Sequence, residues 1–236
     1  RHIHTGDAAQ AQRLQSQAFE MATLLTLPAA AALAICAPAF CTAFFVGGKF
    51  TPADGALMAQ IVVALVAGLP AYVVVKILNP GYFAREDTRT PVWCALVTLA
   101  VNIAINLVVV QRYGIIGLAG ATAVSATLNC LLLYAILHRR GWFHFTLELA
   151  GKIGRQILAT LAMAAALWWT VPLMTDRYSG SVLERVWSLS VLVGLGLLVF
   201  GLGALATGAL ARQVLAQLRR KRPKRTAADD EIIEVQ

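Results

Sequence analysis

Residues 68–103, GLPAYVVVKILNPGYFAREDTRTPVWCALVTLAVNI, place two apolar runs on either side of a short charged island. A helix of about 20 apolar residues crosses a hydrocarbon core of roughly 30 Å. The island at 79–91, NPGYFAREDTRTP, therefore reads as a water-facing turn between two membrane helices. Pro80 and Gly81 are its expected hinge, and Tyr82 and Phe83 suit headgroup depth. Arg85 and Arg89 hold the turn on the cytoplasmic side, while Thr90 and Pro91 fit an N-cap and first helical position for the following helix.

The rest of the chain repeats this alternation. Of 236 residues, 58% are hydrophobic and 14% charged, with a mean hydropathy of +0.69, a balance that excludes a soluble domain of this length. Six apolar stretches are long enough to span, at 18–45, 56–78, 92–110, 115–137, 153–174 and 186–211. The expected fold class is an all-α polytopic membrane protein. With six spans, fifteen of the twenty lysines and arginines fall on one side of the membrane, so both termini are expected to be cytoplasmic.

The expected divisions are a cytoplasmic connector helix at 1–17, four spans at 18–137, a basic cytoplasmic loop at 138–152, two further spans at 153–211 and a cytoplasmic tail at 212–236. The net charge of +8 does not point to nucleic acid, because seven basic residues crowd into the tail beside the membrane. Membrane lipids with anionic headgroups are the expected partner. The chain opens on Arg1 without a signal-peptide pattern, and its polar first segment reads as the continuation of upstream sequence.

Sparse polar groups lie within the spans. Lys76 stands four residues before Pro80, so a helix continuing past the proline leaves the Lys76 carbonyl without its usual donor; snorkelling of the ammonium to the interface is the plainer use. Asn102 and Asn106 lie on one face of the third span, and Thr122 lies beside the small-residue face of the fourth. These stripes suit interhelical packing, with a cation or substrate path as the alternative.

Cys36, Cys41, Cys94 and Cys130 lie in apolar sequence without metal-ligand spacing, and His2 and His4 stand apart from His138 and His144. No metal or cofactor is expected. Glu20 and Glu148 are at span edges, and no nucleophile or metal-hydrolase motif occurs, so the chain does not read as an enzyme.

The runs KFTPADGALMAQ and GLPAYVVVKILNPGYFAREDTRTPV resemble the lipid II flippase family known as MurJ or MviN, in the multidrug/oligosaccharidyl-lipid/polysaccharide exporter superfamily. Lys49, Phe50, Thr51, Asp54, Lys76, Pro80, Asp87, Thr88, Thr90 and Pro91 carry the likeness, which continues through GIIGLAGATAVSATLNCLLLYAIL. GYF replaces the family's usual aromatic pair, and Asn79 stands where a small apolar residue is common.

The resemblance implies that the six spans form the C-terminal portion of a larger helical bundle, with an N-terminal lobe missing from this chain. It implies movement of lipid II, an undecaprenyl-diphosphate-linked substrate, across the bacterial inner membrane by alternating access. The two last helices would contribute a groove for the lipid tail. Lys76, Arg85, Asp87 and Arg89 become candidates for the substrate path or a cytoplasmic gate, and Asn102, Asn106 and Thr122 for a cation site weakened by the neutral Asn106. The alternatives are an exporter of another lipid-linked oligosaccharide and a non-transporting scaffold for cell-wall assembly.

Overall fold

The computed structural model describes residues 5–144 and 146–207. The tail at 212–236, with Arg1, His2 and His4, lies outside the described residues. The described elements are helices α1 (Thr5–Phe45), α2 (Pro52–Val66), α3 (Leu69–Phe83), α4 (Arg89–Arg139), α5 (Leu147–Leu173) and α6 (Val182–Ala206), with a 3-10 turn at Thr175–Ser179 before α6. The all-α class stands, and five segments are long and apolar enough to cross a membrane: Gln12–Phe45, Pro52–Phe83, Arg89–Arg139, Leu147–Leu173 and Val182–Ala206.

That count differs from the six expected, and the difference lies in α4. Its hydrogen-bonded run contains both stretches expected at 92–110 and 115–137, without a separate loop. Gly114 alone leaves helical geometry, at φ 57 and ψ −139, a conformation open mainly to glycine. The chain reverses there. Asn102 and Ser125 would stand about 35 Å apart on a straight helix, yet their side chains meet at 3.0 Å.

Local chemistry sets the other boundaries. Thr51 and Asp54 form a reciprocal capping box at the start of α2, with Pro52 in the first turn. Ser181 and Glu184 do the same for α6. Thr146 caps α5 through the Leu149 amide, so that helix begins before the apolar stretch expected from 153. A turn at Ala67 and Gly68 divides the expected second span into α2 and α3.

Helix α1 is the common element, packing against α2, α3, α5 and α6. At one end, Phe19 of α1 joins Leu78 and Tyr82 of α3, Leu133 and Leu137 of α4, and Phe143 in a buried cluster. Toward the other, Cys36, Ala39 and Ala43 pack with Met163 and Leu167 of α5 and Leu192 of α6. Arg185 ties that second end together, donating to the Gly180 carbonyl and to those of Ala43 within the last turn of α1 and Val46 just beyond it.

Candidate functional site

The charged island folds against the loop that follows α4. Helix α3 runs through Pro80 and Gly81 to Phe83, so these residues do not form a break; the chain turns after Ala84. Helical continuity past Pro80 removes the usual amide partner of the Lys76 carbonyl. Glu86, at φ 59, closes α3: the Asp87 amide donates to Tyr82 O at 3.1 Å and the Glu86 amide to Phe83 O at 3.0 Å. Gly141, at φ 68, closes α4 in the same way through Trp142 and Leu137. These paired left-handed closures bring the two loops side by side.

Between the loops, the Arg140 guanidinium donates to Asp87 Oδ2 in an ion pair. Asp87 also accepts from the Thr90 amide at 3.1 Å and the Thr90 hydroxyl at 2.6 Å. Asp87 therefore caps the first turn of α4, which begins at Arg89 after Thr88, and this replaces the expected Thr90 and Pro91 cap. The Thr90 hydroxyl and amide, followed by Arg140, hold the Asp87 carboxyl down at about 2.

Trp142 lies beneath two cations, with the guanidinium carbons of Arg85 and Arg140 each 4.9 Å from its ring centroid. Tyr82 meets the same indole edge-on and donates from its buried hydroxyl to Leu133 O at 2.6 Å. Arg85 is further oriented by a 2.8 Å bond to Gly81 O. Of the four residues singled out for a path or gate, the structure brings together Arg85 and Asp87. Lys76 and Arg89 are exposed and make no side-chain hydrogen bond or ion pair to this group among the described residues.

The polar stripe within α4 is assembled across its reversal. The Asn106 amide donates to Asn102 Oδ1 at 2.9 Å, and the Asn102 amide donates to the Ser125 hydroxyl at 3.0 Å. Thr122 turns back onto Leu118 O instead. Asn106 Oδ1 is buried without a hydrogen-bond partner. One orphan amide oxygen, with no carboxylate among these residues, is a poor match to a hard cation, which favours several oxygen ligands and their negative charge.

A second polar group had no clear sequence signal. Lys152 of α5 bridges Glu20 of α1 at 3.0 Å and Glu148 of its own helix at 3.2 Å. Below it, Gln156 donates to Glu20 O at 3.1 Å and accepts from the Thr23 hydroxyl at 2.8 Å. Gln156 is 1% exposed. The four-residue steps from Lys152 to Gln156 and Thr160 mark a polar stripe in α5, but they do not identify its partner on α1.

This seam opens into a polar cavity of about 540 Å³ between the early turns of α1 and α5. Farther along, Leu24, Pro28, Ala32, Cys36 and Phe40 of α1 line an apolar groove of about 320 Å³, closed by α5 and α6. Gly196 and Phe200 of the glycine-rich α6 form part of its wall.

Comparison with known proteins follows this architecture. The family model for "Lipid II flippase MurJ" matches residues 1–211. A probable lipid II flippase MurJ from Vibrio cholerae serotype O1 is 36% identical over 176 residues, covering 75% of this chain and 34% of the relative. A probable lipid II flippase MurJ from Rhizobium meliloti is 33% identical over 221 residues, covering 91% of this chain and 41% of the relative. The solved structure of a lipid II flippase MurJ in an inward closed conformation matches the fold with a TM-score of 0.69 at 22% identity, covering 89% of this chain and 41% of that one. The chain thus spans between about a third and two-fifths of the length of these relatives.

Proposed function

We infer function from one premise: this chain belongs to the lipid II flippase MurJ family. We propose that it supplies the C-terminal portion of a transporter that flips lipid II across the bacterial inner membrane by alternating access, together with an N-terminal lobe. The observation that carries this reading is the apolar groove along α1, α5 and α6, which suits a long isoprenoid chain. Transport of this kind makes and breaks no covalent bond in the substrate.

In this reading, the segment before residue 18 joins the two lobes, residues 18–137 form the working helices, and α5 and α6 shape the lipid groove. The loop between α4 and α5, the first turns of α5 and the tail at 212–236 lie with the charged island on the cytoplasmic side. The joined loops act as a gate element: Asp87 holds Arg140, and Trp142 accepts Arg85. Lys76 and Arg89 contribute positive charge near the same mouth. The stripe of Asn102, Asn106 and Thr122 serves helix pairing, and transport is expected to be unchanged when sodium is replaced by another cation.

The test is depletion of the full-length protein and rescue with variants, reading lipid II exposed at the outer leaflet. Rescue by the natural sequence and failure by a variant filling the groove, such as Gly196→Phe, are expected. Accumulation of a different lipid-linked oligosaccharide on depletion selects another exported substrate. Intact flipping after combined replacement of Lys76, Arg85 and Asp87 removes the gate and favours a scaffold role for this region. Thiol labelling that places residues 138–146 outside the cell overturns the proposed orientation.

A further inference from the structure

The polar cavity between α1 and α5 sits where α1 passes from its polar first segment into apolar sequence at Ala18. A ligand there occupies the depth at which a membrane changes from headgroup to hydrocarbon. The cavity is lined by Arg13, Ser16, Gln17 and Glu20 from α1 and by Glu148 and Lys152 from α5, among others. Two cations and two carboxylates, one of each from either helix, line it.

This balance disfavours a ligand of a single charge sign. An anionic headgroup meets both carboxylates, and a simple cation meets Arg13 and Lys152. Lys152 is already held between Glu20 and Glu148, at 3.0 and 3.2 Å. Glu148 reaches outward, with its side chain 77% exposed, so one of its oxygens remains accessible to an incoming ammonium group. Arg13 offers a guanidinium whose fork geometry suits phosphate oxygens. Ser16 and Gln17 add hydroxyl and amide hydrogen-bonding capacity.

The exposed apolar surface continues from this site along the same helix. Met21 and Leu25 are 38% and 73% exposed, directly beyond the polar turns. A ligand with a zwitterionic head and apolar chains therefore matches both parts of the surface.

We propose that the α1–α5 cavity is a binding site for an aminophospholipid, with Arg13 receiving the phosphate and Glu148 the primary ammonium of an ethanolamine headgroup. The proposal does not rest on the flippase reading, although Leu25 also lines the apolar groove. Lys152 positions the two carboxylates, and Glu20 anchors Lys152 to α1.

The experiment is native mass spectrometry of the full chain purified in detergent and exposed to equal amounts of phosphatidylethanolamine, phosphatidylglycerol and phosphatidylcholine with matched acyl chains. Phosphatidylethanolamine should be retained about fivefold over each of the others, the scale of one exposed charge-assisted contact. Glu148→Gln, confirmed as folded by thermal melting, should reduce that ratio to near one, whereas Arg13→Gln, likewise folded, should lower retention of all three lipids because they share the phosphate. Preference for phosphatidylglycerol, equal retention of phosphatidylcholine, an ethanolamine preference unchanged in Glu148→Gln, or total lipid retention unchanged in Arg13→Gln overturns the proposal.

Discussion

Gly68 of the α2–α3 turn lies against Ala123 of α4 so closely that a Cβ on Gly68 would stand 2.8 Å from the Ala123 Cα. The obstacle is backbone, so a rotamer change cannot relieve it. The two segments owe their approach to the missing side chain.

Gly68→Ala should therefore destabilise the folded chain by about 1–3 kcal/mol, the usual cost of overpacking. Gly194→Ala is the contrasting substitution, since a Cβ there meets nothing within 4 Å. Its expected effect is neutral to stabilising by up to ~1 kcal/mol through helix propensity. Thermal melting of both variants in one detergent checks the difference; equal melting temperatures would remove the close-packing argument.

The ion pair of Asp87 with Arg140 should fasten the two loops. Asp87→Asn should raise limited chymotrypsin cleavage after Trp142 severalfold, and the exchange Asp87→Arg with Arg140→Asp should restore part of the protection. The sign of the pH dependence follows from a carboxyl held at about 2, below its ordinary value of 3.8. Its stabilising contribution is fully present above the ordinary value and fades as pH falls through about 2. Protection that disappears between pH 7 and 5 must come from another group.

Gln156 is buried between two elements that it joins by side-chain hydrogen bonds. Replacing it with leucine leaves polar groups of Thr23 and Glu20 with fewer partners and should cost about 1–2 kcal/mol. Melting of Gln156→Leu against the natural chain measures this, and an unchanged melting temperature would show that the network adds no net stability.

Glu86 occupies the left-handed position that closes α3, at φ 59, where a side chain is strained. Glu86→Gly should stabilise the loop by about 0.5–1 kcal/mol if the turn geometry is retained. A lower melting temperature would show that the carboxylate contributes more than the backbone conformation costs.

The broad architecture was legible because long apolar runs with few charges leave the chain little choice but membrane-length helices. The charged island also announced a turn, through its arginines and its position between two such runs. The internal geometry was less accessible. Pro80 and Gly81, read in sequence as a hinge, stand inside α3, which runs on to Phe83, and a further turn falls at Gly68 within an apolar run that gave no sign of it. Gly114 does with one residue what the sequence suggested needed a loop.

Partners distant in sequence were the hardest to read. Asp87 has arginines at 85 and 89, yet it pairs with Arg140 because two helix closures align the loops. Glu20 and Lys152 each look like ordinary residues at a span edge; only the packing of α1 against α5 makes them neighbours. Spacing along one helix defines a face, but the facing element supplies the chemistry.

Helix α1 has 41 residues, a length of about 60 Å at the usual rise, and touches four other helices along its course. It can behave as a pushrod: a tilt imposed near Gln15, where it meets α3, is delivered near Ala43, where Arg185 of α6 grips its last turns. Pro28 and Pro38 are the compliant points along that rod. Spin labels at its two ends should therefore move together when the protein changes state, and stiffening Pro28 to alanine should tighten that correlation.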